Sequence, residues 1–133
     1  MSKENEAQEK YMEFQLLQQQ LEQMQKYNEE LEGKLAEFYK TKESLNEMNG
    51  ITGEAEMFVP LAQGIFTKAK VNGMNELLVN VGANTAVVKS IPHVVELIER
   101  QMKEIAEIKE QLDENVMKIT QRLNQLVEEI QSF

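Results

Sequence analysis

The chain has 133 residues, 41% of them hydrophobic, which suggests one domain. It contains no cysteine, so disulfides and thiolate metal sites are excluded. A net charge of −9 disfavours nucleic-acid binding, and no apolar run approaches the ~20 residues of a membrane span. The N-terminus is polar and acidic, unlike a signal peptide. We therefore expect a cytoplasmic protein with neither nucleic acid nor membrane among its partners.

A long helix is predicted over residues 4–48, rich in Glu, Gln, Lys and Leu. One stripe of this helix has alternating steps of three and four residues, which is the seam of a coiled coil. The stripe comprises Phe14, Leu17, Leu21, Met24, Asn28, Leu31, Leu35, Phe38, Lys42 and Leu45. The polar members Asn28 and Lys42 either fix the register of helix pairing or are hydrated positions that a long seam tolerates. The sequence leaves both interpretations open. Asn49, Gly50 and Gly53 signal the end of the helix.

The middle segment, residues 54–90, alternates with period two and carries three lysines against three glutamates. It predicts four short strands in two β-hairpins, with turns at 62–64 and 82–84. Pro60 demotes the first strand to an edge or a bulge. Two hairpins of this size need another sheet to complete them, so we assign their apolar residues to oligomerisation. These are Val59, Leu61, Ile65, Phe66, Ala69, Val71, Leu77, Val79, Val81, Val87 and Val88.

A second helix is predicted over residues 91–133, with Ser90 as N-cap and Pro92 in its first turn. Its seam comprises Ile91, Val95, Ile98, Met102, Ile105, Lys109, Leu112, Val116, Ile119, Leu123, Leu126, Ile130 and Phe133. Both helices are acidic, and the second can fold back antiparallel on the first. Paired residue numbers then sum to roughly 141–145. This register places Met12 near Gln131 and Leu16 near Val127.

No catalytic constellation is visible. The one histidine, His93, lies in a helix first turn, where a structural role is far more common than catalysis. The many glutamates have the spacing of solvated helix faces with lysine partners. Neither a glycine-rich phosphate loop nor metal-ligand spacing is present. We therefore expect no enzyme activity, no cofactor and no metal.

Several apolar residues near the two chain ends lie beside or outside the seam. With Phe14 at heptad position a, Met12 falls at f and Leu16 at c, both of which face water in a two-stranded coil. An exposed apolar cluster marks an interaction site, although scattered surface hydrophobes are also ordinary. The candidate cluster comprises Tyr11, Met12, Phe14, Leu16, Leu17, Leu126, Val127, Ile130 and Phe133.

The middle segment resembles the α-type subunit of prefoldin, a co-chaperone family. The resemblance is most specific in the runs 59–70 (VPLAQGIFTKAK) and 78–90 (LVNVGANTAVVKS), and the order helix, two hairpins, helix covers nearly the whole chain. Two hairpins, rather than one, separate the α type from the β type. The turn 62–64 and Asn84 depart slightly from the family pattern.

The resemblance implies an α+β, mostly α fold: a single domain, 1–133, with a long antiparallel coiled-coil hairpin and two β-hairpins between its helices. The hairpins would assemble into an intersubunit β-barrel in a hexamer of two α and four β subunits. Family members bind non-native client proteins at the arm tips and deliver them to a group II chaperonin without ATP. The apolar cluster near the chain ends would then be the client-binding site.

Two other readings remain open. The chain could form a structural homo-oligomer or filament through its strands, as some prefoldin-like proteins do. A tubulin-cofactor-like helical binder is a weaker alternative, because the β-hairpins argue against it. Sizing the chain with and without a β-type partner would discriminate between the first alternative and the chaperone.

Overall fold

The computed structural model describes residues 2–51, 53–73 and 75–132. The predicted arrangement of two long helices enclosing two antiparallel strand pairs is confirmed. The elements are α1 (Ser2–Asn49), β1 (Glu54–Ala62), β2 (Ile65–Asn72), β3 (Glu76–Gly82), β4 (Thr85–Ser90) and α2 (Ile91–Gln131). The chain divides into two compact units. The helical unit contains the residues up to Leu35 and those from Lys103 onward, and the strand unit is Ala36–Met102.

The helical unit is an antiparallel helix pair. Glu32 of α1 contacts Lys109 of α2, whereas Lys10, earlier in α1, contacts Glu129, later in α2. The predicted seam is confirmed for the described residues, because its members here are all buried or half-buried. The buried ones are Leu31, Leu112, Leu123 and Leu126. Burial of this one stripe stabilises the pair through the hydrophobic effect.

The strand unit has its own small core, centred on the buried side chains of Leu45, Ile91 and Ile98. Both helices supply residues to this core, and so do the strands. Half-buried residues packed against it include Phe38, Met48, Ala55, Met57, Val71, Leu77, Val94, Val95 and Met102. One face of the strands is therefore covered by the chain's own helices.

Two separate hairpins form in the strand unit, as predicted: β1 pairs with β2 and β3 with β4, both antiparallel. Among the described strands, β2 and β3 do not pair. Each hairpin has a register shift just before its turn, between Pro60 and Ala62 in the first and between Asn80 and Gly82 in the second. Of the two roles expected for Pro60, an edge or a bulge, the register shift beside it agrees with the bulge.

The second turn is unusual because two residues other than glycine have positive φ, Ala83 at 51° and Asn84 at 57°. Asparagine tolerates this left-handed region, whereas alanine is strained there. The side-chain Oδ1 of Asn80 accepts a hydrogen bond of 2.9 Å from the N–H of Gly82, which supports the bulge before the turn.

The second helix begins as the sequence predicts. The Ser90 hydroxyl accepts a hydrogen bond of 3.3 Å from the N–H of His93, and this satisfies one unpaired donor of the first turn. Ile91, the first helical residue, is 1% exposed and anchors the helix start in the core of the strand unit.

Candidate protein-binding surfaces

The first candidate surface lies where α1 begins and α2 ends, and we call residues 2–17 with 122–132 the terminal end. Four of its apolar side chains are exposed: Tyr11, Met12, Leu16 and Val127. Met12 is the most exposed of them, at 68%. Their heptad positions place these residues outside the helix seam, and their exposure agrees with that assignment.

Two shallow depressions mark this surface and share Tyr11 and Ile130. The first is also lined by Ala7, Gln8 and Met12. The second is lined by Phe14, Val127 and Gln131 together with the two shared residues. Their linings are mostly apolar, so together they offer a continuous surface for nonpolar side chains.

The expected register paired Met12 with Gln131 and Leu16 with Val127, and the depressions show which residues share a lining. Val127 shares its depression with Phe14 and Tyr11, whereas Leu16 lines neither depression. Met12 shares a depression with Ile130 rather than with Gln131. The pairs Tyr11–Ile130 and Phe14–Val127 both sum to 141, which lies within the expected register of 141–145.

The remaining members of the predicted client-binding set belong to the seam, and two of them, Phe14 and Ile130, also line the depressions. Leu126 is 0% exposed, and Phe14, Leu17 and Ile130 are half-buried. Phe133 lies outside the described residues. The structure therefore divides the predicted set into an exposed part on the flank and a covered part between the helices.

An ionic network that the sequence analysis missed crosses between the helices at the terminal end. Arg122 binds Glu13 through two hydrogen bonds, from Nε to Oε1 at 2.8 Å and from Nη2 to Oε2 at 3.0 Å. Lys10 Nζ lies 3.2 Å from Glu129 Oε2, and Arg122 Nη1 lies 3.7 Å from Glu129 Oε1. Glu13 and Arg122 each directly precede a seam residue, so opposite charges at these flanking positions were the available signal.

The Arg122 hydrogen bonds lower the pKa of the Glu13 carboxyl, with further lowering from the charges of Arg122 and Lys10 and an opposing effect of desolvation. The same pair raises the pKa of Arg122. Two parallel N–H···O bonds between guanidinium and carboxylate fix the geometry of the two side chains as well as their proximity.

The structure also shows what the polar seam residues do. Lys109 Nζ lies 3.1 Å from Glu32 Oε1 in the helical unit, and Lys42 Nζ lies 3.0 Å from Glu99 Oε1 in the strand unit. Each seam lysine thus extends to a glutamate beside the seam of the opposite helix, as long side chains can. Asn28 differs, because its buried Oδ1 has no hydrogen-bond partner among the described residues.

The second candidate surface is the outer face of the two hairpins. Side chains alternate across each strand, so one row packs towards the helices and the next faces away. Phe58 is 70% exposed and Leu78 is 75% exposed, and Leu78 lies opposite Val88 in the ladder. The predicted oligomerisation residues that are exposed are Leu61, Ile65, Phe66, Val81 and Val88. Those that are half-buried are Val59, Ala69, Val71, Leu77, Val79 and Val87.

Phe58 and Leu78 were absent from the predicted oligomerisation set, although both side chains are at least 70% exposed on the same strands. Their signal was the alternation itself: both occupy the row opposite to half-buried strand residues, such as Met57 and Leu77. Val71 and Leu77 were in the predicted set, and the structure places them against the chain's own core.

His93 contacts Lys89, with 3.4 Å between its Nε2 and the lysine Nζ. Within the part of the chain that the structure describes, no group of three or more His, Asp or Glu side chains could hold a metal ion. No helix of the described residues is long and apolar enough to span a membrane.

Comparison with known proteins identifies the fold and the family. The prefoldin subunit family model matches residues 17–133. The chain is 30% identical over 131 residues to prefoldin subunit alpha of Archaeoglobus fulgidus, covering 98% of this chain and 90% of that one. It is 38% identical over 68 residues to prefoldin subunit alpha 1 of Thermococcus kodakarensis, covering 51% of this chain and 47% of that one.

A cryo-EM structure of filamentous prefoldin from Methanocaldococcus jannaschii shares the fold, with a TM-score of 0.75 at 18% identity, over 94% of this chain and 98% of that one. The chain therefore belongs to the prefoldin family, a family of chaperones. It is similar to the family's alpha subunits.

Proposed function

We propose that this chain is the α-type subunit of an ATP-independent holdase that works in the cytoplasm. Its strands join those of β-type subunits in a hexamer of two α and four β subunits, its terminal end binds non-native proteins, and the complex delivers them to a group II chaperonin. The observation that carries the client-binding step is the exposed apolar flank formed by Tyr11, Met12 and Val127, together with the exposed side chain of Leu16 elsewhere on the terminal end.

The chemistry of this flank fits a client without defined structure. Non-native proteins expose nonpolar side chains, and shallow apolar depressions bind such side chains without requiring one backbone geometry. Methionine suits this task because its unbranched, polarisable side chain adapts to different partners. Met12 lines one depression directly.

The assembly step is supported by the outer face of the hairpins. An exposed strand presents unpaired backbone groups, and a two-stranded hairpin is marginal on its own. Here the exposed strands also carry large nonpolar side chains, Phe58, Leu61 and Leu78 above all. Strands of other subunits would cover this face and pair with the free edges.

The client-binding step is tested by changing exposed residues only, so that folding is preserved. The triple variant Tyr11→Ser, Met12→Ser and Leu16→Ser should lower suppression of client aggregation by roughly ten-fold in the complex with a β-type partner. The matched control, Tyr27→Ser, Ile108→Ser and Met117→Ser, removes an equivalent set of exposed side chains from the same helical unit. It should suppress aggregation like the unchanged complex.

Light scattering of a client diluted from denaturant measures the effect, and native mass spectrometry verifies that both variants assemble. Equal loss in both triples would show that any apolar surface on the helices suffices. Full activity of the first triple would reject the terminal end as the binding site. Delivery is tested separately, by adding a group II chaperonin with ATP and measuring recovery of folded client.

A further inference from the structure

The two flanks of the helix pair differ at the terminal end. Tyr11 and Val127, which lie on one side of the seam at heptad position e, line the apolar depressions. Glu13 and Arg122, which lie on the other side at position g, form the two-bonded ion pair. One flank is therefore free to bind, while the other connects the helices to each other.

Between these flanks the seam is closed. Leu126 has no exposed surface and Leu123 is buried, while Phe14 and Leu17 are half-buried. The ends of a coiled coil are ordinarily the first part to open, because local opening there breaks few contacts. A client can therefore bind such an end in two ways: on the flank of paired helices, or on a seam exposed by their separation.

We propose that the Arg122–Glu13 pair, joined by Lys10 and Glu129, keeps the terminal end paired, and that clients bind the flank of the closed helix pair rather than an opened seam. The inference rests on the proposed holdase function. It assigns positioning roles to four charged residues that do not line the apolar depressions themselves.

The geometry supports a clamp rather than a chance surface contact. Isolated surface ion pairs contribute little, but bidentate arginine–carboxylate pairs and charge networks are the recognised exceptions. Arg122 makes both hydrogen bonds to one carboxylate and also approaches Glu129, which Lys10 contacts from α1. The network thus contains two separate links between the helices. The lowered pKa of Glu13 agrees with this arrangement.

The clamp itself is tested by hydrogen exchange on the assembled complex. The double variant Glu13→Gln and Arg122→Gln removes the charges while retaining polar side chains. We expect amide exchange in residues 8–17 and 119–130 to accelerate by roughly ten-fold. The control Glu32→Gln and Lys109→Gln removes another cross-helix pair of the same unit and should leave exchange at the terminal end unchanged. Unchanged exchange in the first variant, or equal acceleration in both, would overturn the clamp.

The binding mode is tested by locking the helices. Because the chain has no cysteine, Glu13→Cys with Arg122→Cys provides a unique pair of thiols for a short bismaleimide in a complex whose β-type partner is also cysteine-free. The same variant treated with N-ethylmaleimide lacks the cross-link and is the matched control. We expect the locked complex to suppress aggregation within two-fold of the unchanged complex. A loss of roughly ten-fold on locking, absent in the control, would show that the seam must open.

These outcomes are separable from failure of the proposed function. If the unchanged complex does not suppress aggregation, or the Tyr11, Met12 and Leu16 triple is fully active, the function or its site is wrong. The hydrogen-exchange result still decides whether the clamp exists. If the triple loses activity and the locked complex retains it, both the flank and the closed helix pair are supported.

Discussion

Both the helical unit and the strand unit carry nonpolar side chains in regular rows. The helical unit covers its seam within the chain, whereas the strand unit leaves one of its two rows exposed. The seam of α1 finds a partner because α2 repeats the same spacing of three and four residues and runs antiparallel to it, so that Leu31 and Leu126 are both buried. The hairpins have one row against their own helices and another, including Phe58 and Leu78, that faces away.

Charge follows the same division. Residues 1–50 carry six lysines and eleven glutamates, and residues 92–133 carry five basic and nine acidic side chains, whereas residues 51–91 are balanced at three of each. Charged groups resist transfer from water into an interface. An excess of charge on the helices and a balance on the strands therefore separates surfaces that stay in water from one suited to burial by other chains.

The largest expected effect comes from placing charge on the uncovered strand row. Leu78→Glu should reduce the amount of assembled complex by at least roughly ten-fold, because it would bury an unpaired carboxylate against another subunit. Native mass spectrometry with a β-type partner measures this. Gln63→Glu adds the same charge in the exposed turn of the first hairpin and should leave assembly intact. Full assembly of Leu78→Glu would mean that this row is not an interface.

A large loss of stability is expected from truncating a buried residue in the seam of the helical unit. Such a change alters no exposed surface. Leu126→Ala should destabilise the helix pair by about 2–4 kcal/mol, because it leaves a cavity where the side chain is fully buried. Leu16→Ala removes the same atoms from an exposed site and should cost less than about 0.5 kcal/mol. Chemical denaturation of the complex, followed by circular dichroism, compares the two. Similar losses would contradict the division of the predicted site into covered and exposed parts.

The sequence predicts the fold well because each element carries its own periodic signal. The seam positions, the Ser90 cap and the bulge at Pro60 all follow from local spacing and chemistry, and the structure confirms them. The strand ends were less predictable: β1 begins at the polar residue Glu54, since cross-strand pairing extends into residues that propensity alone does not assign to strands.

The candidate site was predictable only in part. Exposure of Met12 and Leu16 follows from their heptad positions, because the helix period fixes which face a residue occupies. Which residues share a depression depends on the exact pairing of two helices, and the periodicity of each helix alone does not fix that pairing. The link between Glu13 and Arg122 is also a property of that pairing, since these residues are far apart in sequence.

A smaller effect, of the opposite sign, is expected inside the seam. Asn28→Leu should stabilise the helical unit by about 1 kcal/mol, because a buried oxygen without a partner is replaced by nonpolar surface. Lys109→Leu should stabilise the helical unit by a smaller amount, since it also removes the ion pair with Glu32. Hydrogen exchange in residues 21–35 of the complex measures the difference. Destabilisation by Asn28→Leu would show that the asparagine fixes the register of the pair, the alternative that the sequence leaves open.

The smallest effect concerns pH and distinguishes the two flanks of the terminal end. Because pairing with Arg122 lowers the pKa of Glu13 in the folded chain, its contribution to stability is complete above the ordinary glutamate pKa and is lost as pH falls through the lowered folded value. Carboxyl ¹³C NMR should therefore show Glu13 titrating below its ordinary value, and Arg122→Gln should raise that midpoint towards it. Tyr11, Met12 and Val127 on the apolar flank carry no carboxylate, so acid should weaken the link between the helices before it alters the nonpolar contacts. A Glu13 midpoint unaffected by Arg122→Gln would mean that the two-bonded pair does not persist in solution, and the contrast between a closed seam and an open strand face would then rest on hydrophobic burial alone.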